Sequence, residues 1–152
     1  MKAQTPVSLT ALEGRWHIVL SNFPMWTKGN KTEPTFNYSV TTKGGDTVLL
    51  DEVKYMKKGK EKSILGYDHV KDRTNTSFVW RGKGLLSLLK SKWEILYMEP
   101  HCAWMIIHFR KTLFTPEGYD VVARDKSLTG PEMKAVKEKL KELGVGELVS
   151  IR

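Results

Sequence analysis

The sequence carries a single cysteine, Cys102, among 152 residues. An internal disulfide is therefore excluded, which favours a reducing compartment, and the expectation is a cytoplasmic protein. No apolar run approaches the length that crosses a bilayer. The opening residues Met1-Lys-Ala-Gln-Thr-Pro lead into none, so the sequence shows no signal peptide or spanning segment. Gly-rich phosphate loops, internal repeats and low-complexity tracts are missing as well. His17, His69, His101 and His108 lack a metal-ligand spacing such as His-x-x-x-His on one helix. No metal and no cofactor is expected. Acidic residues are in deficit, 17 Asp and Glu against 25 Lys and Arg, for a net charge of +8. Such a surface draws anionic partners: nucleic acid, anionic lipid or an acidic ligand.

What the chain does have is strand signal. Aromatics are plentiful, with five each of Trp, Tyr and Phe. Alternation predicts strands near 14–21, 34–42, 47–56, 61–70, 76–81, 92–98, 102–112 and 119–125. Lys43-Gly-Gly-Asp46 and Lys57-Lys-Gly-Lys60 read as tight turns between them. After Asp125 the period changes. Thr129-Gly-Pro-Glu132 opens a helix over about 131–143, with Met133, Val136, Leu140 and Leu143 on one stripe and Gly144 as its stop. Eight short strands and one late helix describe an all-β fold, an eight-stranded up-and-down antiparallel barrel with one C-terminal external α-helix. One domain spans 1–152, because no linker divides it.

Four stretches carry a resemblance. Gly14-Arg15-Trp16 matches the Gly-x-Trp on the first strand of the lipocalins. Phe36-Asn-Tyr-Ser-Val40 is similar to their second strand. Trp93 to His101 sits where they turn from the sixth strand to the seventh. Ala123-Arg124-Asp125, followed by the helix, resembles their last strand and external helix. Glu99-Pro100-His101 stands where many lipocalins have Thr-Asp-Tyr, and the family disulfides are missing. The chain thus resembles an outlying, intracellular lipocalin. The resemblance implies that Arg124 packs over the Trp16 indole at the closed end, a structural plug with Gly14 rather than a ligand contact. A guanidinium over an aromatic face contributes about 0.5–1 kcal/mol when exposed.

The resemblance also sets which faces turn inward. Leu20, Phe36, Tyr38, Tyr67, Phe78 and Trp80 are expected to line a ligand cavity. So are Trp93 and Tyr97 on the sixth strand and Met105, Ile107 and Phe109 on the seventh. Trp104 and Ile106 would then lie beneath the helix. A filled core is the alternative, since eight strands leave little room. Loops 1–2, 3–4, 5–6 and 7–8 share one rim, which in the family is the mouth. There Trp26, Leu85 and Leu86 mix with Lys57, Lys58, Lys90 and Arg110, and Phe23, Met25, Leu113 and Phe114 join them. This rim is expected to steer an acidic amphiphile or to rest on an anionic membrane, with Leu85–Leu89 as a lid. The alternative is an ordinary short helix with solvated lysines.

The leading functional reading is binding or transport of a small hydrophobic, in one version anionic, ligand: a fatty acid, lysolipid, tetrapyrrole or aromatic metabolite. The alternative is an isomerase, cyclase or decarboxylase in the same cavity, drawing on Tyr38, Tyr67, Tyr97, Asp120 and, if the seventh strand were shifted by one residue, His108 with Arg110. Asp120 is read either as an inward carboxylate with a raised pKa or as a rim residue in water. A nucleic-acid binder ranks last, because the aromatics are read as inward and the charge as lying on loops.

Overall fold

The computed structural model of the protein describes residues 5–113 and 115–152. The rim residue Phe114 lies outside the described residues. A short helix, α1 (Leu9–Leu12), precedes strand β1 (Gly14–Ser21), and a one-turn helix, α2 (Pro24–Thr27), leads to β2 (Thr32–Lys43). Tight turns then join β3 (Asp46–Lys57) and β4 (Lys60–Val70). β5 (Ser77–Gly82), a 3₁₀ turn at Gly84–Leu86, β6 (Lys90–Met98), β7 (Trp104–Phe109) and β8 (Gly118–Ala123) follow. Helix α3 (Gly130–Glu142) and a two-residue β9 (Val149–Ser150) complete the described chain. Each of the first seven strands pairs antiparallel with its successor, and β8 pairs back onto β1. The sheet is closed, so the expected all-β barrel with one external C-terminal helix is the fold. Closure leaves none of the eight strands as a free edge.

Two cores share the barrel wall. Trp16, Ile18, Phe36, Tyr38, Phe78, Trp93, Met105 and Ile107 pack inside it. Outside, Trp104, Ile106, Val121 and Ala123 receive Val136 and Leu140 of α3. The helix starts with a complete capping box: the Thr129 hydroxyl accepts from Glu132 N–H, and the Glu132 carboxylate accepts from Thr129 N–H. Together these satisfy two backbone donors that would otherwise lack partners.

Besides an irregularity at the start of β2, between Thr32 and Thr35, strict alternation fails at two places, and the reason is the same at both. On β1 the register with β8 slips between Ile18 and Leu20, making Val19 an extra residue. Val19 and Leu20 therefore both face outward onto the helix-side core, and Ser21 turns inward opposite Asp120. Leu20, expected in the cavity, is an outer residue. On β6 the pairing with β7 slips between Ile95 and Tyr97. Leu96 and Tyr97 both face outward, where Tyr97 packs on Trp104 beneath the Lys139 ammonium. Tyr97 also leaves the expected lining. A bulge adds one residue to one strand and so exchanges the faces of all that follow.

The closed end is built as the resemblance implied. The Arg124 guanidinium lies 3.8 Å from the centre of the Trp16 ring. It also donates to the carbonyls of Ala11 and Arg15. Trp16 Nε1 donates to Leu12 O at 2.9 Å. Gly14 sits at φ +101, and a Cβ there would come 3.1 Å from the guanidinium. Only glycine meets both demands without strain. The sequence reading missed the cover itself. Val7 and Leu12 are buried across this end, and Asn75 Nδ2 donates to Val7 O.

Candidate functional site

At the other end of the barrel a cavity of about 640 Å³ opens to solvent. Its walls come from strands on opposite sides of the barrel: Phe36 of β2, Val53 of β3, Ile64 of β4, Trp80 of β5, Trp93 of β6 and Phe109 of β7. The first loop supplies Phe23, Met25 and Trp26, and the segment after β5 supplies Leu86, Leu88 and Leu89. The barrel is thus hollow toward its mouth and solid toward its floor, where Met105, Ile107, Phe78 and Ile95 pack without exposure. A further depression of about 580 Å³ lies on the outer wall around Arg15, Asn37 and Glu52. It is open and polar, and Arg15 already donates to Asn37 there.

Among the residues expected to line the cavity, Phe36, Trp80, Trp93 and Phe109 do so. Tyr38, Phe78, Met105 and Ile107 also face inward but lie deeper, in the packed core. Tyr38 stacks between Phe36 and Trp93, and Phe78 stacks on Trp93 at 4.3 Å. Tyr67 is on the outer face of β4, beneath the Lys43 ammonium. Its neighbours Gly66 and Asp68 hold the inward positions, so the strand's alternation is intact and the inward assignment of Tyr67 was one residue out.

The mouth departs from its expected makeup. Trp26 is buried, with its ring edge-on to Tyr55, so it roofs the cavity rather than projecting from it. Phe23 is seated on the bare backbone of Gly118, where a Cβ would lie 2.1 Å from its ring. Leu85, Leu88 and Leu113 are fully exposed around the opening, whereas Leu86 folds back over Gly82. Lys90 lines the opening, and Lys57 and Lys58 stand exposed or half-exposed at the β3–β4 turn. Arg110 instead lies on the outer wall, 4.0 Å from Glu94. His108 is on that wall too, bridging Glu94 and Glu117. The shifted register that would bring this pair inside does not occur.

Polar groups cluster within the hollow interior. Asp51, Asp68 and Asp120 are each at most 4% exposed. Asp51 and Asp120 line the cavity directly. Asp68 accepts from Trp93 Nε1 at 2.9 Å and shares a hydrogen bond with Asp51. Asp120 accepts from the Ser21 hydroxyl, whose oxygen accepts from Phe23 N–H in turn. Burial penalises the charged form of each. It pushes Asp120 up to about 7 and Asp68 to about 6. Asp51 is raised well above the usual carboxylate range, by burial first and by the neighbouring Asp68 charge second. Tyr38 is raised by burial and by the same three carboxyls. Sequence reading singled out Asp120 but missed Asp51 and Asp68. Each is an acidic residue on the inward register of a strand that is otherwise apolar on that side. Among the described residues no three His, Cys, Asp or Glu side chains are grouped to hold a metal ion.

No family model and no curated protein matches the sequence. Solved structures do match. Insecticyanin from the tobacco hornworm Manduca sexta is similar over 100% of this chain and 84% of its own, with 14% identity and a TM-score of 0.74. A major cockroach allergen matches over 99% of this chain and 91% of its own, at 11% identity and a TM-score of 0.73. Lobster apocrustacyanin A1 covers 93% of this chain and 77% of its own, at 12% identity and a TM-score of 0.68. At such identities the likeness is one of fold. The closed barrel and external helix agree with it, and the fold is lipocalin-like.

Proposed function

We propose that the protein binds and carries a small hydrophobic ligand within the barrel. The observation that carries this reading is the cavity of about 640 Å³, walled by aromatic and aliphatic side chains and open at one end. Removing apolar ligand surface from water contributes about 25 cal/mol per Å², and a preformed pocket avoids the cost of ordering. Fatty acids, lysolipids, tetrapyrroles and aromatic metabolites remain the candidate classes. For the acidic ones the headgroup belongs at the mouth near Lys90, since the described residues at depth offer carboxyls and no cation. The exposed Leu85, Leu88 and Leu113, with Lys57, Lys58 and Lys90 at the same end, suit transfer from an anionic membrane. The reading keeps the protein in the cytoplasm.

Intrinsic tryptophan fluorescence tests the proposal, because Trp26, Trp80 and Trp93 all line the cavity. Titration with apolar ligands of graded size should quench or shift the emission to saturation at one equivalent. Trp80→Arg, which puts a charge into the cavity wall, should weaken binding at least about tenfold. Unchanged emission across the series would remove the proposal.

A second reading has one specific observation in its favour. Two hydrogen-bonded sets, Asp51 with Asp68 and Ser21 with Asp120, reach one apolar cavity. Carboxyls whose burial raises them toward neutrality can give and take protons in an isomerisation, cyclisation or decarboxylation. Conversion of the bound ligand during incubation, followed by mass spectrometry, would establish it.

A further inference from the structure

One carboxylate oxygen in the cavity has no protein partner. Asp120 Oδ2 is buried, accepts no hydrogen bond and belongs to a residue that lines the ligand space, whereas Asp51 is paired with Asp68. An unpaired buried carboxyl oxygen costs free energy, so it is a place where a ligand group improves on the empty protein. The groups facing it are themselves acidic or neutral. Ser21 of β1 donates to the other oxygen of Asp120. Tyr38 of β2 and Asp68 of β4 approach from the neighbouring strands. The charged residues among the described cavity lining are Asp51, Asp120 and Lys90, and Lys90 is exposed at the opening. An anionic group at that depth would meet three carboxyls and no compensating cation. The positively charged exterior, in turn, discourages approach by a permanent cation.

A ligand that satisfies both conditions enters neutral and becomes a cation inside. Resting on the reading of the cavity as a ligand site, we propose that the barrel takes flat aromatic nitrogen bases, with the ring nitrogen seated on the Asp120 carboxyl. The aromatic walls fit the flat body: Phe36, Trp93 and Phe109 form a contiguous set of rings with centroids about 6.1 Å apart. On binding, the Asp120 carboxyl gives its proton to the ring nitrogen. The O–H bond breaks, the nitrogen lone pair forms the new N–H bond, and the electron pair stays on the carboxylate. The resulting ring cation and carboxylate pair directly, in surroundings where such a pair is stronger than in water and where aromatic faces also favour the cation.

Quinoline and naphthalene are close in shape and differ by one ring nitrogen, so they separate this inference from the cavity reading. Quinoline should bind at least about tenfold more tightly than naphthalene. Bound quinoline should show the absorption of its protonated form at a pH where free quinoline is neutral. In the Asp120→Asn protein the protonated band should vanish and the preference for quinoline over naphthalene fall about tenfold. A circular dichroism spectrum matching that of the unsubstituted protein reports that the variant is folded. The spectrum of quinoline in the unsubstituted protein needs no variant. Equal binding of the two ligands, or bound quinoline that is neutral, overturns the inference and leaves the cavity reading standing. If neither they nor a broader apolar series binds the unsubstituted protein, the cavity reading fails and takes this inference with it.

Discussion

Asp120 is buried at 1% exposure with one oxygen on Ser21, and its carboxyl titrates at about 7 rather than at the ordinary 3.8. A carboxyl whose folded-state value is raised stabilises the fold fully below the unfolded value. That contribution is lost as pH rises through the folded one. Stability should therefore fall between about pH 4 and pH 7, by about 1.4 kcal/mol per pH unit for a group of this kind. Asp120→Asn keeps a side-chain oxygen for the Ser21 hydroxyl and removes the titration. Denaturant unfolding of this variant should show a gain of about 2–4 kcal/mol at pH 8 and much less at pH 4. An equal gain at both would place the effect in packing instead. A slope of the same sign remains from Asp68, raised to about 6, and from Asp51.

Helix α3 adheres to the barrel through few residues. Val136 and Leu140 are buried in the outer core, and Met133 packs at its edge. Val136→Ala should cost about 1–3 kcal/mol, from lost burial plus the void left behind. Thr129→Ala, which breaks the capping box on an exposed surface, should cost about 1 kcal/mol. Thermal unfolding followed by circular dichroism checks both, and a cap loss larger than the core loss would contradict the packing. Strand and helix existence was legible from period and turn residues, and observed boundaries lie close to the expected ones. β7 is the exception, spanning Trp104–Phe109 where 102–112 was expected. The two bulges were not legible. Val19-Leu20-Ser21 and Leu96-Tyr97-Met98 read equally well in either register, and only pairing with β8 and β7 decides it. The cavity lining was legible for Phe36, Trp80, Trp93 and Phe109; it failed for Leu20 and Tyr97 at the bulges, and for Tyr67 because the phase of an intact strand was misjudged by one residue.

At the scale of the whole molecule, charge is divided between outside and inside. The chain carries +8 overall, yet among the described residues the charged groups at the cavity depth are acidic. Lysines near the opening act at long range and are screened by salt, whereas the buried carboxyls act at contact and are screened far less. The association rate of a fluorescent fatty acid should therefore drop several-fold between about 0.05 M and 0.5 M salt, read by stopped flow. A rate independent of salt would remove the steering role of the rim. The sequence count gave the sign of the exterior. It could not give the sign of the interior, because three aspartates among 17 acidic residues are set apart only by the direction in which they point.

The extra residue in β1 ties these scales together. Without Val19, Leu20 would swing into the hollow and Ser21 out to water. Asp120 would lose its donor, and the helix would lose part of its seat. A one-residue shortening at this point is thus a heavier lesion than most substitutions nearby. It spoils two distant surfaces at once, the berth of α3 and the acidic chamber, through a single change in the parity of one strand.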